Sequence, residues 1–193
     1  MQQLISLNLT IIAGANGVGK TTFAKPYVRE LGYQFLNADE IVKELENRGE
    51  THPTLKAGRL FFARLNESLA KKENVLLETT LSGSYINKVA ARSKEMGYAL
   101  TVIYIFVDSE AVCIDRVKSR VLKGGHDVPT EDIKRRFQRS LTNFWTNFTE
   151  IADDWVLLYN GDEGYEQVAV GVSQQYSVEH QSLFSFFQTL TNQ

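Results

Sequence analysis

The sequence predicts an α/β protein: a mostly parallel sheet with helices on both faces. Three observations carry this expectation. Short apolar runs bounded by polar residues alternate with longer segments whose apolar residues recur at helical spacing. Such alternation marks βαβ units, whose parallel strands are covered on both sides. A glycine-rich segment, Gly14-Ala15-Asn16-Gly17-Val18-Gly19-Lys20-Thr21, joins the first apolar run to the first helical segment. It fits Gly-x-x-x-x-Gly-Lys-[Ser/Thr], the Walker A phosphate-loop (P-loop) pattern, in the strand–loop–helix setting that the pattern needs. Finally, unusual polar residues fall just after the other apolar runs, where open parallel sheets bind ligands.

Taken in order, Leu9 to Ala13 reads as a short buried strand. The helix after Gly19 carries Phe23, Ala24, Tyr27, Val28 and Leu31, with Pro26 inside it and Gly32 as its stop. Tyr33 to Leu36 forms a strand; Asn37-Ala38-Asp39-Glu40 then opens a helix through Ile41, Val42 and Leu45. Pro53 suits a first helical position, and Leu55, Leu60, Phe61, Leu65 and Leu69 carry that helix to Lys72. Asn74 to Leu77 is a strand ending in Glu78-Thr79-Thr80-Leu81-Ser82-Gly83, followed by a helix from Ser84 to Met96. Thr101 to Val107 is the longest apolar strand, and Asp108 or Ser109 caps a helix reaching Leu122. Gly124 to Pro129 forms a flexible joint. Thr130 caps the next helix, amphipathic through Ile133, Phe137, Leu141, Phe144, Trp145 and Phe148. Trp155 to Tyr159 is another strand, Glu166 to Val172 a further one, and Val178 to Leu190 a terminal helix.

With 193 residues, 43% of them hydrophobic, the chain is long enough for one ample core. A formal charge of −2 gives no general attraction to nucleic acid or anionic membrane, so neither is expected as a partner. A single cysteine, Cys113, excludes an internal disulfide and suits a reducing cytoplasm. The opening residues show no signal peptide, and no apolar run is long enough to span a bilayer. A cytoplasmic protein is expected.

The P-loop residues predict chemistry. Gly14 to Thr22 should bind a nucleoside triphosphate, because glycines let successive N–H groups turn inward into a nest for phosphate oxygens. Lys20 is placed to reach the β- and γ-phosphates, and the Thr21 hydroxyl to hold Mg2+. Asp39 can accept the proton of an acceptor hydroxyl, or else cap the helix that begins at Glu40. Glu78 ends a buried strand and is the candidate for Mg2+; Asp108 competes, but has a cap role to explain it. Thr79 and Thr80 stand beside Glu78 as candidate substrate contacts, or as caps for the helix after them. Arg116 and Arg120 lie one turn apart on one helix face, and Arg136 borders the apolar face of the next helix. With Lys134, Arg135 and Arg139 they flank the Gly-Gly joint either as a lid that brings guanidinium groups onto a transferring phosphate or as a solvated basic helix face. Arg59 is a candidate acceptor contact or a surface ion-pair partner. Asn160 is either an adenine contact or ordinary turn chemistry.

With these residues in place, the chain resembles the zeta-toxin family of P-loop kinases, in particular its short, single-domain bacterial members. The resemblance is carried by the P-loop, by Asn37-Ala38-Asp39-Glu40, by Glu78-Thr79-Thr80-Leu81-Ser82 and by Arg120 with Gly124-Gly125-His126-Asp127-Val128-Pro129. It continues through Ile133 to Leu141 and Trp155 to Asn160, covering roughly residues 8 to 162. It implies a three-layer P-loop NTPase fold with a five-stranded sheet of adenylate-kinase type. It also implies ATP and Mg2+, a base at Asp39 and lid arginines at Arg120 and Arg136.

The best-known members phosphorylate UDP-N-acetylglucosamine and are held inactive by a small antitoxin. UDP-N-acetylglucosamine is thus the first acceptor to test, and an antitoxin protein the partner the resemblance raises. The expected organisation is a kinase domain over residues 1–170, its lid at about 116–139, with a helical tail over 171–193 packed on it. The expected activity is transfer of the γ-phosphoryl of ATP to a hydroxyl of a nucleotide-sugar or related metabolite. The alternative is a nucleotide-dependent ATPase or switch acting on a partner protein, with Phe184, Phe186 and Phe187 as its docking patch.

Overall fold

The computed structural model describes residues 7–173 and 175–192. Residues 1–6, 174 and 193 lie outside this description, and with them the opening residues read above for a signal peptide. The first half of the chain forms β1 (Asn8–Ala13), α1 (Lys20–Leu31), β2 (Gln34–Asn37), α2 (Ala38–Asn47), α3 (Pro53–Ala70), β3 (Val75–Thr79) and α4 (Tyr85–Glu95). The second forms β4 (Ala99–Phe106), α5 (Glu110–Leu122), α6 (Thr130–Asn143), a π-helical turn (Phe144–Phe148) and α7 (Thr149–Ile151). It ends in β5 (Asp154–Gly161), β6 (Gly164–Val172), β7 (Gln175–Val178) and α8 (Gln181–Thr191).

The strands form one sheet in the order β2-β3-β1-β4-β5-β6-β7. The pairings from β2 through β5 are parallel. Leu9, Ile11, Ile12 and Ala13 of the central β1 are wholly buried, as a strand covered on both faces requires. The expected five strands are corrected to seven. The chain doubles back after β5 through a two-residue turn between the paired Gly161 and Gly164, so that β6 and then β7 add on antiparallel. Gln175-Tyr176-Ser177-Val178 is too short and polar to read as a strand from sequence; pairing with β6 makes it one. The segment after residue 170 is therefore strand as well as helix.

The helix expected from Thr130 to Phe148 changes to π geometry at Phe144, where Phe144 and Phe148 are both buried. Phe144 stacks on Tyr104 at 4.4 Å between ring centres and meets Trp155 edge-on at 5.7 Å and Phe187 at 6.1 Å. Trp155 fits because Gly171 stands opposite it in β6; a Cβ there would come within 2.1 Å of the indole. Phe184 and Phe187 of α8 join this layer and are buried, with Phe186 packed against it. The docking patch of the switch alternative is thus largely core.

Two caps differ from expectation. α6 begins at Thr130 after Pro129, with no side-chain cap, and Asn37 rather than Asp39 caps α2. Ser109, not Asp108, caps α5, while Asp108 accepts a hydrogen bond from the Tyr159 hydroxyl. Among the described residues no helix is long and apolar enough to cross a membrane.

Candidate functional site

The P-loop turns between β1 and α1 on residues that tolerate no side chain. Gly14 has φ 138°, and a Cβ there would stand 2.3 Å from the Ile105 carbonyl oxygen of β4. Gly19, at φ 99°, leads directly into α1 at Lys20. Lys20 is only 7% exposed, and its Nζ donates to the Ala15 carbonyl at 2.9 Å. Burial holds its ammonium below the ordinary lysine value, and the nearby Glu78 and Asp39 carboxylates pull the other way.

Sheet register builds the acidic side. Glu78 on β3 lies between Ile12 of β1 and Asn37 of β2. Its Oε1 accepts from the Thr21 hydroxyl at 2.9 Å and its Oε2 from Asn37 Nδ2 at 2.8 Å. Burial pushes the Glu78 carboxyl up; Lys20 and the two hydrogen bonds oppose that push. The Asn37 Oδ1 meanwhile accepts from the backbone N–H groups of Asp39 (2.8 Å) and Glu40 (3.3 Å). With α2 capped in this way, the Asp39 carboxylate is not needed at the helix end and lines the cavity instead.

Two adjoining cavities meet here. One, of about 410 Å3, is lined by the P-loop with Lys20, Thr21, Asp39, Glu78, Arg116 and Arg120. The other, of about 220 Å3, shares Lys20, Asp39 and Glu78 and adds Thr79, Thr80, Tyr85 and Arg136. Arg116 Nη2 donates to the Asn160 carbonyl at 3.2 Å. Arg120 Nη2 donates to the His126 carbonyl at 2.7 Å, while its buried Nε has no partner among the described residues. Arg136 reaches across to the P-loop, Nη1 donating to Asn16 Oδ1 at 3.3 Å and Nη2 to Asp132 at 3.1 Å. Arg135 pairs with Asp132, and Arg139 is exposed.

The remaining candidates divide. The Thr79 hydroxyl accepts from the Leu81 N–H at 3.1 Å, and those of Thr80 and Ser82 bond each other at 2.8 Å. Neither threonine caps α4, so the cap role offered for them is corrected. Arg59 is exposed on α3 and lines neither cavity. Asn160 uses its amide on the Val18 carbonyl at 2.8 Å, away from any turn role. Cys113 is buried, and burial raises its thiol to about 12, so it stays protonated.

Sequence reasoning missed two residues. Asn37 was open to detection, since an Asn just before a helix is a strong cap signal. Tyr165, whose Oη donates to the Gly19 carbonyl at 2.8 Å, had no local signal, because the pair is joined only through the β5–β6 hairpin.

For a cation, Thr21 and Glu78 offer adjacent oxygens of the kind Mg2+ takes. No group of three or more His, Cys, Asp or Glu gathers as a metal cage among the described residues. The pair therefore fits an ion whose other places are filled by phosphate and water.

A P-loop feeding two cavities at the carboxyl ends of parallel strands defines a P-loop kinase-like α/β domain. The model of the AAA domain family matches residues 9–142, more than half of the chain, and the chain belongs to that family. An uncharacterized protein of Haemophilus influenzae is 25% identical over 124 residues, 64% of this chain and 88% of its own length. A chain of the AvrRxo1-ORF1:-ORF2 complex with ATP superposes with a TM-score of 0.74 at 17% identity, over 96% of this chain. This chain spans only 64% of that one's length. A chain of the PezAT chromosomal toxin–antitoxin system of Streptococcus pneumoniae gives 0.63 at 14% identity, covering 99% of this chain and 88% of that one. At such identities these two likenesses show the fold.

Proposed function

We propose that the protein is an ATP- and Mg2+-dependent phosphotransferase acting on a hydroxyl of a nucleotide-sugar or related small metabolite. One observation carries this: Lys20, Asp39 and Glu78 line both cavities, so a single wall faces donor phosphates on one side and an acceptor on the other. The acceptor oxygen attacks the γ-phosphorus, its proton passes to Asp39, and the bond to the β–γ bridging oxygen breaks to release ADP. Lys20 and the loop amides hold the phosphates, while Arg116, Arg120 and Arg136 neutralise charge as it spreads over the transferring group. Thr21 and Glu78 are the residues that would hold Mg2+, which would supply further neutralisation of phosphate charge when bound. Thr79 and Thr80 orient the acceptor, and Arg59 is a further candidate contact to it.

The likeness to the ATP-bound AvrRxo1 complex supports ATP as donor. The zeta-toxin resemblance supports UDP-N-acetylglucosamine as the first acceptor to try, and the single cysteine suits a cytoplasmic setting. Both neighbours come from assemblies with a second protein, which supports an antitoxin-like partner.

The test is incubation with γ-labelled ATP, Mg2+ and UDP-N-acetylglucosamine, then a metabolite extract, followed by identification of the labelled product. Asp39→Asn should lower transfer by about 10³-fold while leaving ATP affinity nearly intact. Collapse of ATP binding would remove Asp39 as the base. Phosphate release without a labelled metabolite would favour the switch.

A further inference from the structure

We propose that Asn160 and Tyr165, at the two arms of the β5–β6 hairpin, are positioning residues that keep the P-loop amides aimed at the triphosphate. The proposal rests on the loop being a triphosphate site, as above.

Asn160 Nδ2 donates to the Val18 carbonyl and Tyr165 Oη to the Gly19 carbonyl, both at 2.8 Å. A trans peptide unit is planar, so its carbonyl and the next N–H point in opposite directions. Anchoring the Val18 carbonyl outward turns the Gly19 N–H inward, and anchoring the Gly19 carbonyl does the same for Lys20. These amides stand at the head of α1, where the helix terminus attracts anions.

The clasp closes because residue 19 has no side chain. A Cβ there would lie 2.6 Å from Asn160 Nδ2 and 2.8 Å from Tyr165 Oη. Tyr165 is held in turn by the Phe23 ring, edge-on at 5.1 Å. Arg116 fixes the other arm through the Asn160 carbonyl. The hairpin lies beyond residue 142, outside the segment matched by the family model.

Full-length Tyr165→Phe, Asn160→Ala and the double variant are titrated with Mg-ATP and, separately, with magnesium and inorganic tripolyphosphate. Calorimetry should show each single change weakening both ligands by the same factor, about five- to tenfold, and the double change weakening them further. In the transfer assay the KM for ATP should rise more than kcat falls. Amide exchange at Gly19 and Lys20 should quicken in Tyr165→Phe, which removes one oxygen and keeps the ring. A loss confined to ATP would show that these side chains touch the nucleoside instead, and would overturn the proposal. Unchanged affinity and exchange in the folded variants would overturn it as well. A wild-type chain that binds neither ligand would bring down the triphosphate site itself, and the clasp with it.

Discussion

The wall around the P-loop and the aromatic layer against α8 are both built from buried side chains, yet burial acts on them in opposite directions. In the layer, Tyr104, Phe144, Trp155 and Phe187 are almost fully enclosed, and the polar atom of Tyr104 is satisfied by Ser140 Oγ at 2.9 Å. At the loop, burial presses an ammonium toward neutrality, raises a carboxyl and leaves an arginine nitrogen without a partner among the described residues. Glycines there hold positive φ angles as well. One region lowers the free energy of the fold, and the other raises it for the sake of a ligand site.

The contrast can be broken most forcefully in the layer. Phe144→Ala should destabilise the protein by about 3–5 kcal/mol, read by denaturant unfolding, with ATP affinity of the folded protein unaltered. Lys20→Met should act on the other side: abolish ATP binding in calorimetry while changing ligand-free stability by less than about 1 kcal/mol, because relief of the buried ammonium is offset by the cation that Glu78 and Asp39 lose.

Glu78 sharpens the point through pH. Its folded-state carboxyl titrates above the ordinary 4.5, so the native state holds the proton more tightly than the unfolded chain. Stability present below about pH 4.5 is then lost as pH rises through the raised value. Ligand-free Glu78→Gln should lack that decline, so unfolding curves of the two proteins should diverge as pH rises above about 4.5. Arg139→Ala belongs to neither region and should change stability by less than about 0.5 kcal/mol and transfer hardly at all.

What the sequence disclosed follows the same division. Apolar runs and a strand-to-helix P-loop are local patterns, so β1 to β5 and the loop that lines the first cavity could be read directly. Asp39, Glu78 and Arg136 came into view as strand-end or helix-edge residues, and the structure brings all three to one cavity. Pairings across the sheet had no such trace. β7 exists because β6 offers it an edge, Arg59 faces solvent although it borders an apolar stripe, and Tyr165 meets Gly19 across 146 positions.

The Asn37 amide serves two masters: its oxygen starts α2 and its nitrogen steadies Glu78. An aspartate there would still start the helix but would confront Glu78 with a like charge, so exchanging one nitrogen for oxygen would leave the backbone in place and unsettle the Glu78 carboxylate.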